Sequence, residues 1–242
     1  MTVERILLVG APGTGKSKQL IAVCEAVAPK PFYVIDTEDK LSAMLSLVGQ
    51  PENMRLHVAF DWEEYKAAWE IIEKAIKPDD WVAVDRVDLF WPGVQRWYTR
   101  EVYNEDLATL MIDKIKKSQS KNSMLAQRLD KGGWQRINEE YDTLLHKILY
   151  KSRANVLLTA GIQGIDENSP QDVYSNLGIR PRGQKELAHQ PHSVFWLQQK
   201  KRGKELTWYI QTAKDLPGRE YFVESEELFD FPTQYLSKYL KV

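Results

Sequence analysis

Three glycines and a lysine near the start constrain this chain most. Ile6, Leu7, Leu8 and Val9 form an apolar run of the kind a buried parallel strand uses. Gly10, Ala11, Pro12, Gly13, Thr14, Gly15, Lys16 and Ser17 follow, and every fixed position fits G-x-x-x-x-G-K-[ST]. The next residues, KQLIAVCEAV, read as a helix with Leu20, Ile21, Val23, Cys24 and Val27 on its inner side. The motif therefore sits between a predicted strand and a predicted helix. Glycines at these places let a phosphate chain approach several backbone N–H groups at once. The first turn of the helix adds positive partial charge. Lys16 can reach the outer phosphates and the Ser17 hydroxyl can ligate Mg²⁺. The expected ligand of residues 10–17 is a nucleoside triphosphate.

Downstream, strands and helices alternate. Phe32–Ile35 reads as a strand and Lys40–Val48 as a helix ended by Gly49 and Pro51. Arg55–Phe60 reads as a short strand, and Asp61 with Glu64 opens a helix through about Ile76 as a capping box. Trp81–Asp85 and Asn155–Ala160 read as core strands, and Trp134–Tyr150 as an amphipathic helix. Such alternation predicts an α/β fold, with a mostly parallel sheet covered on both faces and ligands beyond the carboxyl ends of its strands. Ser193–Gln199 and Glu205–Thr212 predict a C-terminal β-hairpin with a basic turn. Trp91-Pro92-Gly93 is expected to break the chain, and 91–133 to form a helical insertion in a single domain spanning 1–242. Residues 161–191 read as a long loop and YLSKYLKV at the C-terminus as a short helix.

With 242 residues the chain suits one large domain, and a net charge of −1 excludes a strongly cationic nucleic-acid coat. The lone cysteine, Cys24, excludes an intrachain disulfide and reads as a small buried side chain, which fits a reducing cytosol. The first strand begins at once, leaving no room for a signal peptide, and no apolar run reaches membrane-spanning length. The expectation is a cytoplasmic protein, in the host cytoplasm if the chain is viral, with no membrane partner.

Asp85 closes an apolar strand and suits a Mg²⁺-holding carboxylate, although a strand-ending Asp also serves as a cap. Glu38 follows Lys16 by 22 residues, just past the second strand. If that strand lies beside the first, Glu38 faces the outer phosphate and can orient water or take its proton. Alternatively, Asp36, Glu38 and Asp39 simply solvate a turn.

The order of loop, helix, strand ending Ile35-Asp36-Thr37-Glu38 and strand ending Val84-Asp85 resembles the RecA-type P-loop ATPase core. The resemblance covers roughly 1–90, 134–163 and 193–218, and not 91–133. It implies ATP and Mg²⁺ as cofactors, Glu38 as the catalytic carboxylate, Lys16 and Ser17 on phosphate and metal, and Asp85 as the second motif's carboxylate. The chain is also similar to compact phage-type RecA-like ATP-binding proteins, including single-strand annealing proteins. Trp134, Ile137, Asn155 and Val156 carry that likeness, with Thr212-Ala213-Lys214-Asp215 after them. It implies Lys214 as a residue acting on a neighbouring subunit's nucleotide, in a homo-oligomeric ring or filament. Two departures stand out. Gly161 occupies the place of the family's phosphate-sensing glutamine, leaving Thr159 or Gln163 as substitutes, and Leu216 stands where an arginine often follows Lys-Asp.

Two basic clusters, Lys114–Lys121 and Lys200-Lys201-Arg202 with Lys204, lie near aromatics (Trp97 and Tyr98; Trp196, Trp208 and Tyr209). Basic grooves with stacking aromatics hold single strands, although hairpin tips are also commonly solvated by lysine. The expected function is Mg²⁺-dependent ATP binding and hydrolysis in DNA recombination, single-strand annealing or replication, with single-stranded DNA as partner. The alternatives are a small-molecule kinase, with Arg180 and Arg182 in a lid, and a non-hydrolysing nucleotide-binding accessory module.

Overall fold

The computed structural model describes residues 3–118, 131–165, 178–203, 205–216, 218 and 221–238. Its centre is a sheet built from β1 (Arg5–Gly10), β2 (Phe32–Asp36), β3 (Met54–Val58), β4 (Trp81–Asp85), β5 (Asn155–Ala160), β8 (Ser193–Arg202), β9 (Glu205–Asp215) and β10 (Glu226–Glu227). A separate antiparallel pair, β6 (Ile162–Gly164) and β7 (Ile179–Pro181), lies within the predicted 161–191 loop. The order across the main sheet is β10-β9-β8-β1-β5-β4-β2-β3. The run from β8 to β3 is parallel, and β9 and β10 join it antiparallel.

Alternate residues of each strand enter opposite cores. Leu7, Val9, Val82, Val84, Val156 and Leu158 pack on one side with α3 (Trp62–Ala75), α4 (Phe90–Tyr103), Leu110 of α5 (Leu107–Ser118) and α6 (Lys131–His146). Ile6, Leu8, Val34, Ala83 and Leu157 pack on the other with α1 (Lys16–Ala26), α2 (Lys40–Val48) and the C-terminal Phe231, Tyr235 and Leu236. This double burial explains why the strands read as continuous apolar runs. Cys24 is fully buried in the second core, and burial pushes its thiol up to about 12. Among the described residues no helix is long and apolar enough to cross a membrane.

The expected break at Trp91-Pro92-Gly93 is absent, because α4 runs straight through it. Pro92 stands in the first turn, where its missing N–H would have had no intrahelical acceptor. Gly93 faces α3, and a Cβ there would lie 3.1 Å from Cε2 of Tyr65. The residues that look like breakers thus permit a close helix–helix contact. Val94 and Tyr98 of α4 belong to the main core, so the chain from 90 to 103 is part of the layered body. Residues 119–130 of the expected insertion, including Lys121, lie outside the described residues, as do Lys204 and 239–242.

The α3 start follows the capping-box expectation at Asp61, whereas Glu64 reaches one residue past the N-cap, to Phe60. Asp61 Oδ1 accepts from the Glu63 and Glu64 amides, both at 3.0 Å, while Glu64 accepts from the Phe60 amide at 2.6 Å. Asp61→Ala is expected to cost about 1 kcal/mol of stability. In a domain of this size that lowers Tm by about 2–4 °C, measurable by calorimetry.

Candidate functional site

All the parallel strands point their carboxyl ends to one edge of the sheet, where their loops meet. The phosphate-type loop leaves β1 there. Gly13 and Gly15 sit at φ 81° and 88°, a left-handed conformation costly for other residues. At Gly10 the backbone approach is the constraint, since a Cβ would lie 2.7 Å from the Leu197 carbonyl of β8. Gly15 precedes α1 without any side-chain cap, so the first amides of the helix stay free of protein capping groups. Lys16 Nζ donates to the carbonyls of Gly10 (2.8 Å) and Ala11 (3.0 Å). Its pKa is lowered, first by burial and then by the nearby Arg86 guanidinium.

Asp85 ends β4 and is almost fully buried. One carboxylate oxygen accepts from the Ser17 hydroxyl at 2.8 Å and the other from the Thr159 hydroxyl at 2.5 Å. Thr37, just past β2, donates its hydroxyl to the Asp85 carbonyl at 2.9 Å. Asp85 is thus joined to the loop helix, to β5 and to the exit of β2.

Glu38 reaches this site by a different route from the one expected. Strand β2 does not lie beside β1, since β5 and β4 stand between them. The chain beyond β2 carries Glu38 back toward the loop. Asp36 holds that segment by accepting from the amides of Glu38 (3.1 Å) and Leu41 (2.8 Å). Burial raises the Asp36 pKa, and these two hydrogen bonds oppose the shift. Glu38 Oε2 accepts from Arg86 Nη1 at 3.0 Å and from Lys40 Nζ at 2.8 Å.

Arg86 itself escaped the sequence reading. It follows Asp85 at φ 67°, a left-handed conformation that costs a non-glycine residue roughly 1–2 kcal/mol. The Thr159 hydroxyl accepts from its amide at 2.8 Å, and its carbonyl accepts from the Thr37 hydroxyl at 3.2 Å. Its guanidinium grips the buried Asp88 through two bonds of 2.9 Å. That pairing raises the Arg86 pKa above the ordinary arginine value. The only sequence signal was an arginine directly after a strand-ending aspartate. Pro12, Gly13, Gly15, Lys16, Ser17, Glu38 and Arg86 together line a cavity of about 310 Å³, along with Lys18, Lys40 and Met44.

The other expected residues fall elsewhere or into structural roles. Thr14 caps its own turn by donating to the Ala11 carbonyl at 2.8 Å. Thr159 bridges Asp85 and Arg86, whereas Gln163 pairs with Arg180 across the β6–β7 ladder. Lys214 pairs in register with Val194, which aligns with Leu7 rather than with the loop end of β1. Its ammonium donates to the carbonyls of His189 and Pro191, both at 2.7 Å, and burial lowers its pKa. It is not among the residues lining the cavity.

The β8–β9 hairpin extends past Leu197, the partner of Gly10, so its basic turn projects beyond the carboxyl edge of the sheet. Trp208 on β9 donates its indole N–H to the Gly13 carbonyl at 3.1 Å. Of the aromatics considered for stacking, Tyr98 is buried in the core and Lys66 covers the Trp97 ring at 4.8 Å. Tyr209 is buried beneath Lys200, at 4.7 Å. Trp208 remains 38 % exposed, the most open of the five.

No protein-family model and no curated protein matches the sequence. Solved structures match by fold. One is the KaiC-like protein of the hyperthermophilic archaeon Pyrococcus horikoshii OT3, with a TM-score of 0.53 and 15 % identity over 92 % of this chain and 84 % of that one. Another is the RadB recombinase, with a TM-score of 0.47 and 14 % identity over 87 % of this chain and 81 % of that one. The chain has a RecA-like α/β fold, with a mostly parallel sheet between two helical layers and a C-terminal antiparallel hairpin.

Proposed function

We propose that this chain is a Mg²⁺-dependent ATPase of the compact, phage-type RecA-like kind that acts on DNA in recombination, single-strand annealing or replication. The observation that carries the reading is one cavity lined by Lys16, Ser17 and Glu38, with Asp85 bonded to Ser17 behind it. The loop amides and Lys16 bind the phosphate chain and balance its charge.

The Mg²⁺ requirement is tested by the donors present. Ser17 Oγ and an Asp85 carboxylate oxygen stand 2.8 Å apart, and both keep lone pairs beyond that hydrogen bond, a hard oxygen pair suited to Mg²⁺. No group of three or more His, Cys, Asp or Glu gathers for a metal among the described residues. A site completed by phosphate oxygens and water needs no such group. Ser17 and Asp85 would hold the ion, which supplies charge neutralisation on the phosphate oxygens.

Glu38 orients the attacking water. The water oxygen bonds to the γ-phosphorus as the bond from that phosphorus to the β,γ-bridging oxygen breaks. ADP leaves with that electron pair, and Glu38 takes the water's proton. Single-stranded DNA is assigned to the projecting hairpin turn, where Lys200 and Lys201 are exposed and Trp208 offers a partly open ring. A homo-oligomeric ring or filament completes the proposal. Lys214 would serve a neighbour's nucleotide only after releasing the carbonyls that now hold its ammonium.

Glu38→Gln is expected to reduce phosphate release at least about a hundredfold while ATP affinity stays within about twofold. Near-wild-type turnover would overturn the catalytic assignment. Titration of a single-stranded oligonucleotide is expected to give affinity that declines with salt. Replacing Lys200 and Lys201 by Gln should flatten the log–log slope by about 1.4, from about 0.7 per phosphate contact. Binding that ignores salt, or no binding, would remove DNA from the proposal.

A further inference from the structure

Arg86 stands at the N-cap of the short 3-10 turn Val87–Leu89, and its side chain makes no cap there. Its backbone is held left-handed at φ 67° by the hydroxyls of Thr159 and Thr37. Nε and Nη2 are fixed on Asp88, which is 1 % exposed, so the plane of the guanidinium is set. The remaining nitrogen, Nη1, donates to Glu38 Oε2 inside the cavity that Lys16 and Ser17 also line. The same Glu38 oxygen accepts from Lys40. Oε2 thus carries two cationic donors, and each bond it gives up returns a lone pair that a water molecule can use.

A terminal phosphate entering the cavity brings oxygens of higher charge than a carboxylate, and a guanidinium bonds such oxygens strongly. Arg86 is already anchored on Asp88 and gives up only one bond to reach for them. We propose that Arg86 is the terminal-phosphate sensor of this site, exchanging its Glu38 bond for one to a γ-phosphate oxygen and so relieving Glu38 Oε2 of one of its two cations, which leaves the carboxylate better able to orient water. The inference rests on the reading of the cavity as a triphosphate site. It assigns to Arg86 a task for which the sequence offered only Thr159 or Gln163. Arg86 then stabilises negative charge on the transferred phosphoryl group and couples the presence of the third phosphate to the readiness of Glu38.

The test is the ratio of affinities for a non-hydrolysable ATP analogue and for ADP, measured with Mg²⁺ by titration calorimetry, together with steady-state ATP turnover. Arg86→Gln is expected to weaken the triphosphate analogue about tenfold or more and to leave ADP within about twofold. Turnover at saturating ATP should drop at least about a hundredfold. Arg86→Lys, which keeps a cation but cannot hold Asp88 in a fork, is expected to fall between the two. Retained ADP binding shows that the variants are folded. If the triphosphate-to-diphosphate ratio is unchanged, or if both affinities fall together, Arg86 is not a terminal-phosphate sensor. If the wild-type chain binds neither nucleotide, the triphosphate reading itself fails and the sensor with it.

Discussion

The carboxylate of Asp85 is the point on which the site depends. It sits at the end of a fully buried strand, where an unpaired charge would be costly, and its two oxygens are satisfied by hydroxyls from two different elements. Ser17 brings the start of the loop helix to it and Thr159 brings the neighbouring strand. Thr37 bonds the adjoining carbonyl and fixes the exit of β2. One residue therefore sets the relative positions of three segments that are distant in sequence, two through its carboxylate and one through its carbonyl. The carboxylate's direct hydrogen-bond partners are hydroxyls, while the cations of Lys16 and Arg86 feel its charge without bonding it.

Around that point the sheet performs a simple geometric task. Parallel strands buried on both faces must send their connections over helices, so every carboxyl end opens onto the same edge. Residues from β1, β2, β4 and β5 meet there although β1 and β2, consecutive in the chain, are separated in the sheet by β5 and β4. The cost falls on the loops, which adopt conformations that other sequences avoid. Gly13 and Gly15 meet that demand with glycine, while Arg86 and Asp39 meet it with left-handed backbone at larger residues.

Much of this was legible in the residues. Trp81–Asp85 and Asn155–Ala160 appear with the bounds their apolar runs suggest, and Asp61 caps α3 as its spacing with Glu64 implies. These are local signals, set by burial period and by backbone amides within a few residues. The failures have a different origin. Pro92 and Gly93 read as breakers because nothing local reveals that the first lies in an opening helical turn and the second beneath the ring of Tyr65. Whether β2 lies beside β1 stays open in the sequence because strand order is a property of the whole sheet. Arg86 carried no motif of its own. Its importance comes from the meeting of Asp88, Thr159 and Glu38 around it, which only the folded chain brings about.

The indole of Trp208 has a mechanical consequence. It fastens a strand of the projecting hairpin to the crest of the loop at Gly13, while Gly10 at the base of that loop is closed in by Leu197 of the partner strand. Glu205, at the turn, stands three residues from the fastening, about 10 Å along an antiparallel strand. The hairpin therefore touches the loop at two points, the foot through Leu197 and the crest through Trp208. The hairpin and the loop form a single linkage, with the indole N–H as its pin.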